Sequence, residues 1–246
     1  MQHRYVADIG DFGKFQLLRA LFNPHEDTLA LIWFLHENEE NNNDGKHTDY
    51  FARVQDSDPA LEAIMIEILQ SNTRQVQTLE KKAILHNAHF YYPHIPSDYH
   101  DRAIWLEDAL NFSASHPIVA VAPDNGIALK CQRESKTFSF LSYHDKPQAH
   151  KYIYLNEIDA FYHTPNRKIT ILYQHLGRCF SHEGQINALL ILLKERYQHV
   201  IAIKHKPYSP RVFFFLCQDA DIENSLREKL IDFATEHARF WELYTL

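Results

Sequence analysis

The sequence predicts an α/β protein: a doubly wound, mostly parallel sheet of about seven strands with helices on both faces and an antiparallel last pair. Three observations predict it. The runs TLALIWFL (28–35) and IVAVA (118–122) are apolar without alternation, as strands covered on both faces are. Candidate strands and amphipathic helices alternate along most of the chain. The last two candidate strands are joined by KHKPYSPR (204–211), which holds no crossover helix, so they run antiparallel.

The elements follow in order. Phe12, Phe15, Leu18, Leu21 and Phe22 recur at helical spacing. They predict a helix from near Asp11, with Asp11 as its cap, Lys14 and Arg19 on its polar side and Asn23-Pro24 as its stop. Residues 1–27 form a helical segment packed on the sheet, within a single domain over 1–246. The strand at 28–35 runs into the polar loop HENEENNNDGKHTDY (36–50). Residues 59–70 predict a helix with Pro59 in its first turn. Residues 74–79 and 88–92 are strand candidates, and 98–110 a helix with Ile104, Trp105 and Leu110 on its apolar face. After 118–122 comes a connection with a possible strand at 137–141, then a helix, or strand and helix, at 152–162. Strands at 168–173, 199–203 and 212–217, a helix at 183–197 and a closing helix at 222–240 complete the chain.

Composition narrows the function. A net charge of −7 excludes a nucleic-acid binder that is basic throughout, but leaves room for a basic cleft. No apolar run approaches the roughly 18–20 residues that span a membrane, and MQHRYVADIGDFGK carries no signal-peptide core. Cys131, Cys179 and Cys217 are far apart without a CxxC pair, which fits buried thiols in a reducing compartment. A cytoplasmic protein is expected. Glycine is scarce, yet Gly10, Gly13, Gly45 and Gly126 stand in polar stretches beside Asp, Lys and Asn, as backbone that must bend or approach a ligand would.

The central strand 118–122 stops at Pro-Asp-Asn-Gly, a turn sequence. Ligands of open α/β sheets bind beyond the carboxyl ends of the strands, so Asp124 and Asn125 are candidate catalytic residues. Asp8, Asp11, Asp44 and His175 join them: carboxylates orient water or steady an oxocarbenium-like centre, and histidine meets a leaving group. Asp8 and Asp11 fit a capping role equally well. Lys14, Lys46, His47 and Gln174 are candidates for phosphate or base contact. The stretch holding Lys204, Lys206, Tyr208 and Arg211 mixes cations with an aromatic, a pattern suited to phosphate contact and base stacking.

Two resemblances add to this. The order of elements over roughly 28–240 resembles the class I methyltransferase fold, a Rossmann-like architecture. The motifs GDFGKFQLLR, DGKH, PDNG and YQH resemble a bacterial family with the pattern GDxGKxxLLR, DGKH, DPDNG and YQH. That family brings no defined activity; its bacterial setting suggests phage defence. Ala122 stands where the family pattern has Asp. The loop after the first strand lacks the glycines of a methyl-donor site. The leading expectation is therefore a hydrolase acting on nucleic acid or a nucleotide. It would be DNA glycosylase-like or a nuclease, cleaving a glycosidic or phosphodiester bond with carboxylate-activated water. A base-excising enzyme needs no cofactor, and a nuclease needs a divalent cation. The alternatives are an S-adenosylmethionine-dependent nucleic-acid methyltransferase and a non-catalytic nucleic-acid-binding module.

Overall fold

The computed structural model describes residues 1–23, 25–38, 45–54, 57–143 and 148–245. A seven-stranded sheet runs in the order β11 (Trp241–Tyr244), β9 (His199–His205), β10 (Arg211–Cys217), β8 (Ile169–His175), β3 (Ile118–Ala122), β1 (Leu29–Trp33), β2 (Ala88–Tyr91). The strands β2, β1, β3 and β8 pair in parallel. β10 lies antiparallel between β8 and β9, and β11 is antiparallel to β9 at the edge. Five of the seven strands therefore run one way, and the antiparallel β9–β10 pair stands as predicted.

Both faces are covered. Alternate residues of β1 enter different cores: Leu29, Leu31 and Trp33 join one, Ala30 and Ile32 the other. The first core takes Phe12, Phe15 and Leu18 of α1 (Ile9–Leu21), Leu61 and Met65 of α3 (Pro59–Gln70), and Leu226 and Leu230 of α8 (Ala220–Glu236). The second takes Trp105 of α5 (Tyr99–Ser113), Phe161 of α6 (Leu155–Tyr162) and Leu189 of α7 (His182–Tyr197). Strands buried on both sides need no polar alternation, which is why they read as continuous apolar runs.

Several expectations are corrected. Helix α1 begins at Ile9 rather than near Asp11, and its cap is Asp8, whose Oδ1 accepts from the amides of Gly10 (2.7 Å) and Asp11 (2.9 Å). Lys14 is buried rather than on a polar face. The candidate strand at 74–79 is instead helix α4 (Val76–Lys81); Val76 and Leu79, three apart, both face the core. In α5 the buried face is Arg102, Trp105, Ala109 and Ser113, while Ile104 is 51% exposed. The expected strand near 137–141 is β6 (Thr137–Phe140), but it forms a separate hairpin with β5 (Leu129–Gln132). The closing helix ends at Glu236, and WELY forms β11, an edge strand whose Trp241 is buried against Phe213 and Phe233. Short helix α2 (Phe51–Val54) follows the loop after β1, and the small parallel pair β4 (Gly126–Ile127) and β7 (Tyr152–Ile153) lies outside the main sheet.

The cysteine expectation also changes. Cys131 and Cys179 form a disulfide, Cα atoms 6.5 Å apart, tying the β5–β6 hairpin to the segment after β8. Spacing along the chain does not reveal a pairing made by the fold. Cys217 alone is free; burial, with Glu223 and Asp219 nearby, pushes its thiol up to about 12. Cysteine usage thus gives no argument for a reducing compartment. Among the described residues no helix is long and apolar enough to cross a membrane.

Candidate active site

The carboxyl ends of β1, β3, β8 and β9 and the first residue of β10 meet along one edge of the sheet, where the first turn of α1 crosses them. A cavity of about 350 Å³ opens there. Asp8, Asp11 and Lys14 line it from α1, Asp124 and Asn125 from the turn after β3, and Tyr173, His175, Ser209 and Arg211 from the β8 and β10 side. The structure thus gathers Asp8, Asp11, Lys14, Asp124, Asn125, His175 and Arg211, widely spaced candidates from the sequence, around one space.

The carboxylates differ sharply. Asp124 accepts from His36 (Nε2 to Oδ2, 3.1 Å) and lies 3.6 Å from the Met1 α-amino group and 4.0 Å from Lys151 Nζ. Burial alone would raise its carboxyl, but the amino group, the hydrogen bond from His36, and Lys151 overcome that and hold it far below the usual carboxylate range. Burial pushes the amino group down to about 6. Asp8 is the reverse. Enclosure and the neighbouring Asp11 raise its carboxyl, against the pull of Arg211 and Lys14. Asp11, 2% exposed, binds Lys14 through Oδ1 (2.8 Å), while Oδ2 is buried without a partner. The Lys14 ammonium in turn sits 4.0 Å over the Trp33 ring.

The glycines explain the close approach of charge. Gly10 and Gly13 lie inside helix α1, so they do not bend the chain. A Cβ at Gly10 would stand 2.3 Å from Nη1 of Arg211, and one at Gly13 2.6 Å from the His205 ring. Their missing side chains are filled by protein groups rather than by a ligand. Gly45 (φ 74°) and Gly126 (φ 103°) do hold the left-handed backbone that glycine tolerates. Gln174 is not free to orient water: Oε1 accepts from Ile127 N (2.7 Å), and Nε2 donates to the carbonyls of Asn125 and His175. It clamps the Pro-Asp-Asn-Gly turn to β8.

The basic stretch divides. Lys204 lies on β9 and pairs with Glu242 (3.1 Å), Lys206 donates to the Ala238 carbonyl, and Arg211 turns inward, 7% exposed. Tyr208, next in sequence to Ser209, makes a tilted contact with the His47 ring (centroids 4.6 Å apart) and carries the Arg53 guanidinium 4.8 Å from its ring. Lys46 is exposed. Asp44 lies outside the described residues, as do Glu39 and Glu40. Glu37 pairs with His94 (3.2 Å). Among the described residues no three His, Cys, Asp or Glu side chains converge as metal ligands.

Sequence reasoning did not single out His36, Lys151, Tyr173 or Ser209. His36 and Tyr173 were within reach of it, as polar groups where apolar strand runs end. Lys151 and Ser209 arrive by tertiary folding from segments with no such signal. A scan against protein-family models returned no match, and a search of curated proteins returned none.

Proposed function

We propose that this cavity is the active site of a hydrolase that cleaves the glycosidic bond of a nucleotide or of a nucleotide unit in nucleic acid. One observation carries the reading: two neighbouring carboxyl groups have opposed environments, Asp8 raised by enclosure and by Asp11, Asp11 held by Lys14. Such a division separates an acid from a base. Asp8 in its protonated form donates to the leaving base as the C–N bond breaks and the bond's electron pair departs with that base. Asp11 steadies the positive charge on the sugar carbon through Oδ2. A water then bonds to that carbon and gives its proton to Asp11. Asp124, already paired with His36 and Lys151, holds the turn and its Asn125 in place. The cluster of Tyr208, His47 and Arg53, adjoining Ser209, supports a base-bearing substrate, since aromatic and guanidinium faces stack on bases.

The methyltransferase-like scaffold belongs to the same proposal, supported by the antiparallel β10 inserted between β8 and β9. The methyl donor itself fits poorly. The helix glycines that would let a cofactor approach backbone are filled by Arg211 and His205.

The test is incubation with modified and unmodified DNA, RNA and free nucleotides, with and without EDTA, following free base and strand scission separately. Base release that survives EDTA is expected. Scission without base release, abolished by EDTA, would replace the glycosidic reading with a metal-dependent nuclease.

A further inference from the structure

We propose that Arg211 and Ser209, with Lys14 lining the same cavity, form a phosphate-binding subsite, so that the substrate carries a phosphate beside the bond that is cleaved. The proposal rests on the hydrolase reading of this cavity and names the group that reading leaves open.

Arg211 is the first residue of β10, in register with His175 of β8 and His205 of β9. It is 7% exposed and lines the cavity, yet its Nε and Nη1 have no hydrogen-bond partner. A guanidinium is always charged, and a buried charge with unmet donors is costly unless an anion meets it. Asp8 interacts with it electrostatically, but no carboxylate oxygen bonds its Nε or Nη1. Asp8 Oδ1 is engaged by two amides of α1, Asp11 by Lys14, and Asp124 by His36 and the Met1 amino group. Neutral His205 offers no countercharge either: burial and Arg211 keep it unprotonated.

The shape suits a tetrahedral oxyanion. The open donors on Nε and Nη1 point to different sides of the guanidinium, so they call for separate acceptor oxygens rather than one two-pronged contact. Ser209 Oγ lies 2.6 Å from His175 Nε2. With Nε2–H donating, the serine proton is left for a further oxygen, and Lys14 adds positive charge from the opposite side. The α1 amides contribute nothing, since Asp8 and the His47 carbonyl already occupy the amides of Ile9, Gly10 and Asp11. Three side-chain donors arranged around one space match phosphate better than a planar carboxylate. The absent Cβ of Gly10 is what lets the guanidinium lie against the helix.

The test is calorimetry with inorganic phosphate as probe, acetate as the planar control, and adenosine set against its 5′-monophosphate. Wild-type protein should bind phosphate with Kd of about 10 mM or tighter, and acetate more weakly. The monophosphate should bind tighter than adenosine. Arg211→Lys keeps the charge and loses the planar guanidinium with its separate donors, so phosphate affinity should fall by about tenfold or more. Ser209→Ala, at a half-buried loop position, should cost a smaller factor and serves if Arg211→Lys does not fold. Acetate binding as tightly as phosphate, unchanged phosphate affinity in the folded variants, or no phosphate binding to the wild type would each overturn the subsite. The two readings fail separately. Phosphate binding through Arg211 without base release from any substrate leaves the subsite and removes the hydrolase. Base release with phosphate affinity untouched by Arg211→Lys removes the subsite alone.

Discussion

Arg102 and Arg167 on one side, and Arg211 on the other, are buried to similar degrees but provided for differently. Arg102 donates to both oxygens of Glu157 and to the carbonyls of Ala149 and Tyr152, and packs under Phe34, Tyr143 and Tyr154. Arg167 donates to the carbonyls of Phe161, Ser113 and His116 and to the Ser113 hydroxyl. Each joins separate parts of the chain, and every guanidinium nitrogen of both has an acceptor. Arg211 has donors left over and faces a cavity. The contrast teaches what to look for: a buried charge completed by the fold holds the fold, while one left incomplete beside a cavity is where a ligand completes it.

The contrast can be broken in order of size. Arg102→Met strands Glu157 in the core and should cost about 3–5 kcal/mol of unfolding free energy by urea titration. A loss under about 1 kcal/mol would show that the saturated pair is not structural. His205 comes next. Burial holds it well below the ordinary histidine value of 6.5, so it stays neutral in the folded state and takes up a proton on unfolding below that pH. Stability should therefore fall as pH drops through 6.5, by up to about 1.4 kcal/mol per pH unit, and His205→Gln should flatten that slope. Asp8 shifts the other way. Its raised carboxyl makes the folded state hold a proton that the unfolded chain releases, so its contribution falls as pH rises above the usual carboxylate value. Asp8→Asn, which keeps a capping side chain, should gain stability relative to wild type over that rise. Asp8→Ala should lose about 1 kcal/mol of cap at neutral pH. The smallest effect belongs to Arg211→Met: it removes a buried charge with unmet donors and should change stability by less than about 1 kcal/mol, in either direction. A loss as large as that of Arg102→Met would place Arg211 among the structural arginines.

Much of this was legible in the chain. The runs 28–35 and 118–122 announced doubly covered strands, and the short stretch 204–211 an antiparallel pair. Asp8, Asp11, Lys14, Asp124 and Arg211 stood out by residue type beside turns and strand ends. What the sequence hid is tertiary. Gly10 and Gly13 suggested ligand approach, yet they make room for Arg211 and His205, side chains some 200 residues away in the chain. Gln174 looked able to read a base, but Gly126 lets it pack against the turn it holds. Asp124 drew attention by its turn; its ion partners come from the N-terminus, β1's end and the segment before β7, none of them near it in sequence. The Cys131–Cys179 bond and strand β11 were likewise set by folding, because pairing at an edge or across a loop leaves no local pattern.

The most direct test of the account compares wild type with Asp8→Asn on a panel of nucleotides and oligonucleotides, reading released base. Phosphate binding and thermal unfolding serve as controls. Free base from the wild type, none from Asp8→Asn, and unchanged phosphate affinity in both is the result the account predicts. Equal base release from the two proteins, with Asp8→Asn fully folded, would contradict it.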